Sequence, residues 1–367
     1  MGTLDDRIRE VEEEIRTTEY NKKSSHHIGK LKAKLARLRE EAELARSKGG
    51  GGGKHFAVKK SGNATVALLG PPNSGKSTLL NRMTEAQSEV GDFAFTTKDI
   101  LPGVLNHGGA QIQLLDMPGI VPGAAKGRGR GREVLGVARS ADLLVLFVDV
   151  LDPALGAVLH EAQEAGIRPN GRAPEITLAK KDRGGIDISS TVRMTRLDEN
   201  TARGILNEFG VVNASVVFRV NASADDLIDF LSAKCAYLPA IVALNKVDLV
   251  SPAELRARLE LLKGWKVYPI SADKGLGLEE LKKGIYEALE FRRVYLRPQG
   301  GEVDRSQPLI LKRGGTVGDV CDHLHKDFRQ KFRYAMVWGT SVKYPGQRVG
   351  LEHALEDNDV LTIVIRI

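Results

Sequence analysis

The sequence predicts an α/β protein: a doubly wound parallel sheet with a small α/β module inserted in it, a helical hairpin ahead of it and a small β-rich module behind it. Three observations predict this. Five strand-like runs, at 64–69, 111–116, 141–149, 240–245 and 266–271, alternate with helical stretches, the pattern of a parallel sheet covered on both faces. About 90 residues separate Asp149 from Ala240, far more than one crossover helix and its loops require. The pattern also changes at both ends, with heptad-spaced apolar residues before it and short strands after it.

At the N-terminal end, Leu4, Ile8, Val11 and Ile15, and then Ile28, Leu31, Leu35 and Leu38, recur at helical spacing. The polar break at Asn21–Ser25 makes them an antiparallel hairpin over residues 1–48. Each helix has one apolar stripe, so the hairpin needs a partner surface. Its second helix carries Lys30, Lys32, Lys34, Arg37 and Arg39, which fit either a solvated face or a contact with RNA or protein. Residues 49–60 form a glycine-rich linker, with an unbroken run from Gly49 to Gly53.

The sheet domain is expected over 61–166 and 237–292, and the inserted module over 167–236. In the insertion, two strand-like runs flank Gly184 and Gly185 and read as a hairpin. A helix follows from Asp198, its candidate N-cap, to Phe209; then come a strand over 211–220 and a helix over 224–231. Asp225 and Asp226 suit the first turn of that last helix, where the dipole favours anions. Residues 293–367 read as β-β-α-β-β, a ubiquitin-like grasp. Its Lys312, Arg313, Lys326, Arg329, Lys331, Arg333 and Lys343, without catalytic residues, suit a binding module better than an enzyme.

The bulk properties exclude several classes. In 367 residues no apolar run approaches the ~20 residues of a membrane helix. The polar start Met1–Asp6 lacks a signal-peptide core, and no membrane association is expected. Two distant cysteines, Cys235 and Cys321, fit core thiols of a reducing, cytoplasmic compartment. A net charge of +7 and a pI near 9.2 permit a polyanionic partner, with RNA or the ribosome the natural candidates.

The chemistry centres on Gly70-Pro71-Pro72-Asn73-Ser74-Gly75-Lys76-Ser77, a phosphate-binding loop between a predicted strand and a predicted helix. Its amides, together with the helix N-terminus that includes Thr78, suit phosphate oxygens. Lys76 suits the β/γ oxygens, and the Ser77 hydroxyl suits Mg²⁺. Asp116-Met117-Pro118-Gly119 ends the next strand, where Asp116 can hold Mg²⁺ through water and the Gly119 amide can meet a γ-phosphate. Within Phe95-Thr96-Thr97, Thr97 is favoured over Thr96 as the second hydroxyl on Mg²⁺.

Asn245-Lys246-Val247-Asp248 ends a later strand and selects the base. Asp248 can accept from guanine's ring N–H and exocyclic amine; adenine presents neither there. Asn245 would brace the site, Lys246 would pack over the base, and the Ala272 amide, after Ser271, would meet the guanine oxygen. A reading as an ATPase or kinase predicts tight ATP binding instead.

With these motifs the chain resembles the DRG (developmentally regulated GTP-binding) family of the Obg superfamily of GTPases. The resemblance spans nearly the whole length. It rests on Ser25–Leu35, the phosphate loop, Phe95-Thr96-Thr97, Asp116–Ile120, Gly127–Arg132, Gly184-Gly185-Ile186, Ala224–Ile228 and Asn245–Asp248. It implies a GTPase domain carrying an inserted module, a C-terminal TGS domain, a role on or near the ribosome, and a family-type regulatory protein as partner. A monomer is expected. Lys98-Asp99-Ile100 departs from the apolar, Thr-rich run usual after the switch threonines, and the glycine run at 49–53 is unusually pure.

Where Ras-like enzymes carry glutamine after Asp-x-x-Gly, this chain has Ile120, which cannot orient water. Hydrolysis is therefore either slow or served by another group. Asn73 is the candidate: in similar GTPases an asparagine at this place helps hold a potassium ion beside the phosphates. The alternative is that Asn73 only shapes the loop. Lys126, Arg128, Arg130 and Arg132 lie in a glycine-rich switch and fit a phosphate, RNA or partner contact as well as a solvated loop. The sequence thus predicts a Mg²⁺-dependent GTPase with Lys76, Asn73 and Thr97 as catalytic candidates; the alternative is a GTP-operated binding switch with negligible turnover.

Overall fold

The computed structural model describes residues 3–19, 24–49, 62–84, 101–118, 136–233, 235–306 and 308–366. They form two compact units, one of residues 1–55 with 166–237 and one of 56–165 with 238–367.

The first unit opens with α1 (Leu4–Thr17) and α2 (Ser25–Gly49). Thr3 starts α1 through a capping box with Asp6, which occupies two otherwise orphan amides. Val11, Leu31 and Leu38 are buried along the seam, flanked by Leu4, Ile8, Ile15 and Leu35. The partner surface that the hairpin needs is the inserted module. Ala33 belongs to that module's core. Gly29 allows the approach: a Cβ there would lie 2.7 Å from the Thr201 methyl. Lys32 reaches both oxygens of Asp225 at 2.9 and 3.0 Å, and Arg37 donates to the Glu208 carbonyl at 2.9 Å. Arg39 pairs with Glu12 at 2.7 Å. Three of the five cations singled out on α2 are thus engaged within the unit, which favours a packing role over a free basic face.

The insertion begins with β5 (Ile167–Pro169) and contains β6 (Ile176–Lys180), β7 (Ile186–Ser190), α5 (Glu199–Glu208), β8 (Ala214–Phe218), α6 (Ala224–Ser232) and β9 (Ala236–Leu238). Asp198 caps α5, its carboxylate accepting from the Thr201 amide at 2.9 Å. Asp226 completes a capping box with Ser223 at the start of α6. The expected hairpin across Gly184 and Gly185 does not form a pair of neighbouring strands. β8 lies between, antiparallel to β6 and parallel to β7. β8 buries alternate residues Ala214, Val216 and Phe218, so it takes the centre, whereas β6 and β7 each bury a single isoleucine, Ile176 and Ile186.

The second unit holds a six-stranded sheet in the order β11-β10-β4-β1-β3-β2. Its strands are β1 (Ala64–Leu69), β2 (Leu101–His107), β3 (Ala110–Asp116), β4 (Leu143–Asp149), β10 (Ala240–Asn245) and β11 (Val267–Pro269). The helices are α3 (Lys76–Met83), α4 (Leu155–Glu164), α7 (Pro252–Leu261) and α8 (Leu278–Ala288). All pairings are parallel except that of β2, an edge strand the sequence reading did not foresee. Every residue of β1 and β10 is buried, as a sheet covered on both faces requires. The register sets Leu68 opposite Asp116 and Asn245 opposite Asp149, so the motif residues gather at the carboxyl ends.

The C-terminal module of this unit comprises β12 (Arg292–Leu296), β13 (Leu309–Leu311), α9 (Val317–Leu324), α10 (Lys326–Gln330), β14 (Phe332–Trp338), β15 (Gln347–Val349) and β16 (Asp359–Ile365). Its sheet order is β13-β12-β16-β14-β15, with β12 and β16 parallel: a β-grasp with one short strand, β15, more than expected. Val294, Ala335, Val337 and Leu361 pack with Val317, Val320 and Cys321 from α9. Ile310 joins the core of the main sheet, and Lys312 reaches Asp142 at 2.5 Å.

Candidate functional site

The loop from Gly70 to Ser77 leaves β1 and enters α3. Two left-handed residues shape it, Asn73 at φ 59° and Gly75 at φ 94°. Gly75 has no substitute here, because a Cβ would lie 2.2 Å from Nδ2 of Asn245. Asn73 is among the non-glycine residues that best tolerate this conformation, and its side chain is exposed. Lys76 starts the helix and is buried, with Nζ donating to the Gly70 carbonyl at 3.1 Å and the Pro71 carbonyl at 2.8 Å. Burial lowers its pKa, and the neighbouring Asp116 opposes that shift. Ser74 is also buried and donates its hydroxyl to the Pro71 carbonyl at 2.9 Å. Ser77 and Thr78 are exposed on the first turn of α3.

The base end is braced by one buried side chain. Asn245 donates from Nδ2 to the Ser74 carbonyl at 2.7 Å and accepts on Oδ1 from the Ala272 amide at 2.9 Å. Sequence reasoning assigned that amide to the guanine oxygen; here Asn245 engages it, so a base oxygen would share it. Ser271 is buried, and its Oγ accepts from the Lys274 amide at 3.1 Å. Lys246 adopts φ 66°, and its Nζ reaches Asp149 Oδ2 at 2.5 Å. Asp248 lies exposed in a short 3₁₀ turn, Val247–Leu249, with no hydrogen bond to another described residue. Asp149 is the residue that sequence reasoning missed. Its signal was available: it is a carboxylate closing the almost wholly apolar strand β4, beside Asn245 in the register.

Asp116 and Ser77 test the expectation of Mg²⁺. The Ser77 hydroxyl donates to Asp116 Oδ2, while Asp116 Oδ1 is buried without a hydrogen-bond partner among the described residues. A hydroxyl beside an under-satisfied carboxylate is an oxygen donor set that fits a hard divalent cation. No group of three or more His, Cys, Asp and Glu among the described residues is arranged to hold a metal. Phe95, Thr96, Thr97, Gly119, Ile120, Lys126, Arg128, Arg130 and Arg132 lie outside the described residues.

Residues 65–181 match the family model described as a 50S ribosome-binding GTPase, 183–291 the C-terminal region of that domain, and 292–365 the TGS domain. An uncharacterized GTP-binding protein of Methanocaldococcus jannaschii is 51% identical over 100% of this chain and 94% of its own length. Developmentally-regulated G-protein 3 of Arabidopsis thaliana is 44% identical over the whole of both chains. Ribosome-interacting GTPase 1 of Saccharomyces cerevisiae is 41% identical over 99% of this chain and 100% of its own length. Among the described residues no helix is long and apolar enough to cross a membrane. With whole-length relatives at this level of identity, a GTPase domain and a TGS domain, the chain belongs to the developmentally regulated GTP-binding (DRG) family of GTPases.

Proposed function

We propose that this GTPase hydrolyses GTP to GDP and phosphate in a Mg²⁺-dependent, potassium-stimulated reaction, and that it acts in the cytoplasm, as a monomer, on or near the ribosome. The observation that carries the reading is the Asn245 side chain, which ties the base-recognition turn to the phosphate loop through the Ser74 carbonyl. Asp248 is free to accept from guanine, and Lys246 lays its stem along the base while Asp149 holds its ammonium. Lys76 exchanges the Gly70 and Pro71 carbonyls for phosphate oxygens when nucleotide binds, which places its charge where negative charge develops. Ser77 and Asp116, with Thr97 assigned from sequence, would hold Mg²⁺, which neutralises the β- and γ-phosphates. Gly119, Phe95 and Thr96 complete the γ-phosphate side on the same sequence grounds.

Ile120 leaves no side chain to orient water at the usual place, so the electrostatic burden falls on the loop, with Asn73 beside a potassium ion. Ile120 favours a second reading, which Asn73 opposes: a switch that binds GTP and turns over negligibly without a partner. Single-turnover hydrolysis in potassium and in sodium separates the two. Stimulation by potassium is expected; no turnover in either salt would leave only the switch. Equal affinity for ATP and GTP would remove the role given to Asp248. The name of the yeast relative supports the ribosomal setting. Co-sedimentation with ribosomes in GTP, GDP and nucleotide-free states tests it, and binding in none of them would overturn it.

A further inference from the structure

We propose that the open face of the C-terminal sheet binds single-stranded RNA, seating bases in the groove between the Arg297–Gly300 loop and the Tyr334–Met336–Trp338 row. This rests on the reading above that the partner is RNA or the ribosome, and it names the surface and the form of RNA. Along β14, Ala335 and Val337 point to the core beneath α9, so Tyr334, Met336 and Trp338 take the opposite face. A groove of about 240 Å³ runs over that face, with Thr362 and Val364 of β16 also lining it. The two rings of this row, Tyr334 and Trp338, are four residues apart on one strand and so stand about 13 Å from each other with Met336 between them, a spacing that suits splayed bases rather than a stacked duplex.

Charge identifies the occupant. Arg297 lies 5.1 Å from the Trp338 ring, and Arg348 and Arg333 lie 4.5 and 5.9 Å from the Tyr334 ring. In the same module Arg292, Arg293, Arg313 and Arg329 are paired with Glu356, Asp357, Glu290 and Asp322. None of these three arginines pairs with a carboxylate among the described residues. An unneutralised guanidinium beside an aromatic ring offers a charge to a phosphate and a plane to a base. An acidic peptide would use the first and leave the rings idle.

Fluorescence anisotropy of the full chain with a fluorescein-labelled ten-nucleotide single-stranded RNA tests this, against an RNA duplex of the same length and with a ten-residue glutamate peptide as competitor. The single strand is expected to bind at least ~10-fold tighter than the duplex, since the rings accept only unstacked bases. Tyr334→Leu should weaken binding by ~5- to 100-fold, the range for losing one stacked base. Arg348→Ala should weaken it and lower the salt slope by ~0.7, and Arg348→Lys should restore the slope but not the full affinity. The thermal midpoint and GDP affinity of each variant should match the parent chain. Equal affinity for the duplex, unchanged binding by Tyr334→Leu, or displacement by the glutamate peptide at comparable concentration would overturn the proposal. Ribosome co-sedimentation of the Tyr334→Leu, Arg348→Ala double variant keeps the two readings apart: undiminished sedimentation sinks this surface and leaves the ribosomal role standing. Oligonucleotide binding without ribosome sedimentation of the parent chain does the reverse.

Discussion

Replacing Asp149 with alanine releases the ammonium of Lys246, and the consequence can be worked from the geometry. The pair is close, at 2.5 Å, and partly screened, with 34% of the lysine and 19% of the aspartate side chain exposed. A charge-assisted hydrogen bond contributes about 1.5–3 kcal/mol, and partial exposure reduces that to about 1–2 kcal/mol. Lys246 also sits at φ 66°, a conformation that costs a non-glycine residue about 1–2 kcal/mol and persists only when its surroundings hold it. Losing the tether therefore loosens the turn that presents Asp248. GDP release, followed by stopped-flow fluorescence of a labelled nucleotide, should accelerate by ~5- to 30-fold in Asp149→Ala and by less in Asp149→Asn, which keeps an acceptor. Hydrolysis at saturating GTP should hold near the parent rate, because the pair lies at the base end. In a double-mutant cycle with Lys246→Met, the coupling should be about 1–2 kcal/mol. Additive effects of the two substitutions, within ~0.3 kcal/mol, would show that Asp149 does not act through Lys246.

Three other outcomes follow from the same structure. Gly75→Ala places a methyl 2.2 Å from Asn245 Nδ2 at a φ of 94°, and should weaken GDP binding by at least ~10-fold in a titration while the far-ultraviolet spectrum is unchanged. Lys32→Ala removes an exposed ion pair and should cost under about 1 kcal/mol in urea unfolding, whereas Ala33→Asp buries an unpaired charge at a fully buried position and should cost about 3 kcal/mol or more. Hydrogen bonds from Arg293 hold the Asp357 carboxyl below the ordinary carboxylate value, so the stability it contributes is present above about pH 4 and is lost as the pH falls through its lower folded value. The acid limb of the thermal midpoint below pH 4 should accordingly be shallower in Asp357→Asn than in the parent chain.

Much of the site was legible because its residues are fixed by local rules. The loop needs a left-handed residue at Gly75 and a helix start at Lys76, and each later motif closes a hydrophobic strand, so sequence order alone placed them at one edge. What escaped was set by long-range pairing. Gly184 and Gly185 signal a turn, yet the neighbours of β6 and β7 were decided by burial of Val216 and Phe218, some 30 residues on. The cations of α2 read as a basic stripe until Asp225 and the Glu208 carbonyl, far along the chain, were seen to meet Lys32 and Arg37. Asp149 escaped because a carboxylate at a strand end carries no meaning until its register partner is known.

Asn245 is the point at which the two ends of the nucleotide site become one. Its Nδ2 holds the carbonyl of Ser74, and the hydroxyl of the same serine lies 3.4 Å from Lys76 Nζ. The base turn and the phosphate lysine are therefore joined through a single buried residue, by its backbone on one side and its side chain on the other. The two halves can be separated by substitution. Ser74→Ala removes the hydroxyl but keeps the carbonyl that Asn245 binds, and should cost about 1 kcal/mol of nucleotide affinity. Asn245→Ala removes both bonds and leaves the Ser74 carbonyl and the Ala272 amide buried without partners, which should cost about 2–4 kcal/mol and lower the thermal midpoint of the free protein as well. Calorimetric titration with GDP and scanning of the nucleotide-free chain measure both. Equal losses in the two variants would mean that the phosphate loop is shaped by its own hydroxyl contacts and owes nothing to the base-recognition turn.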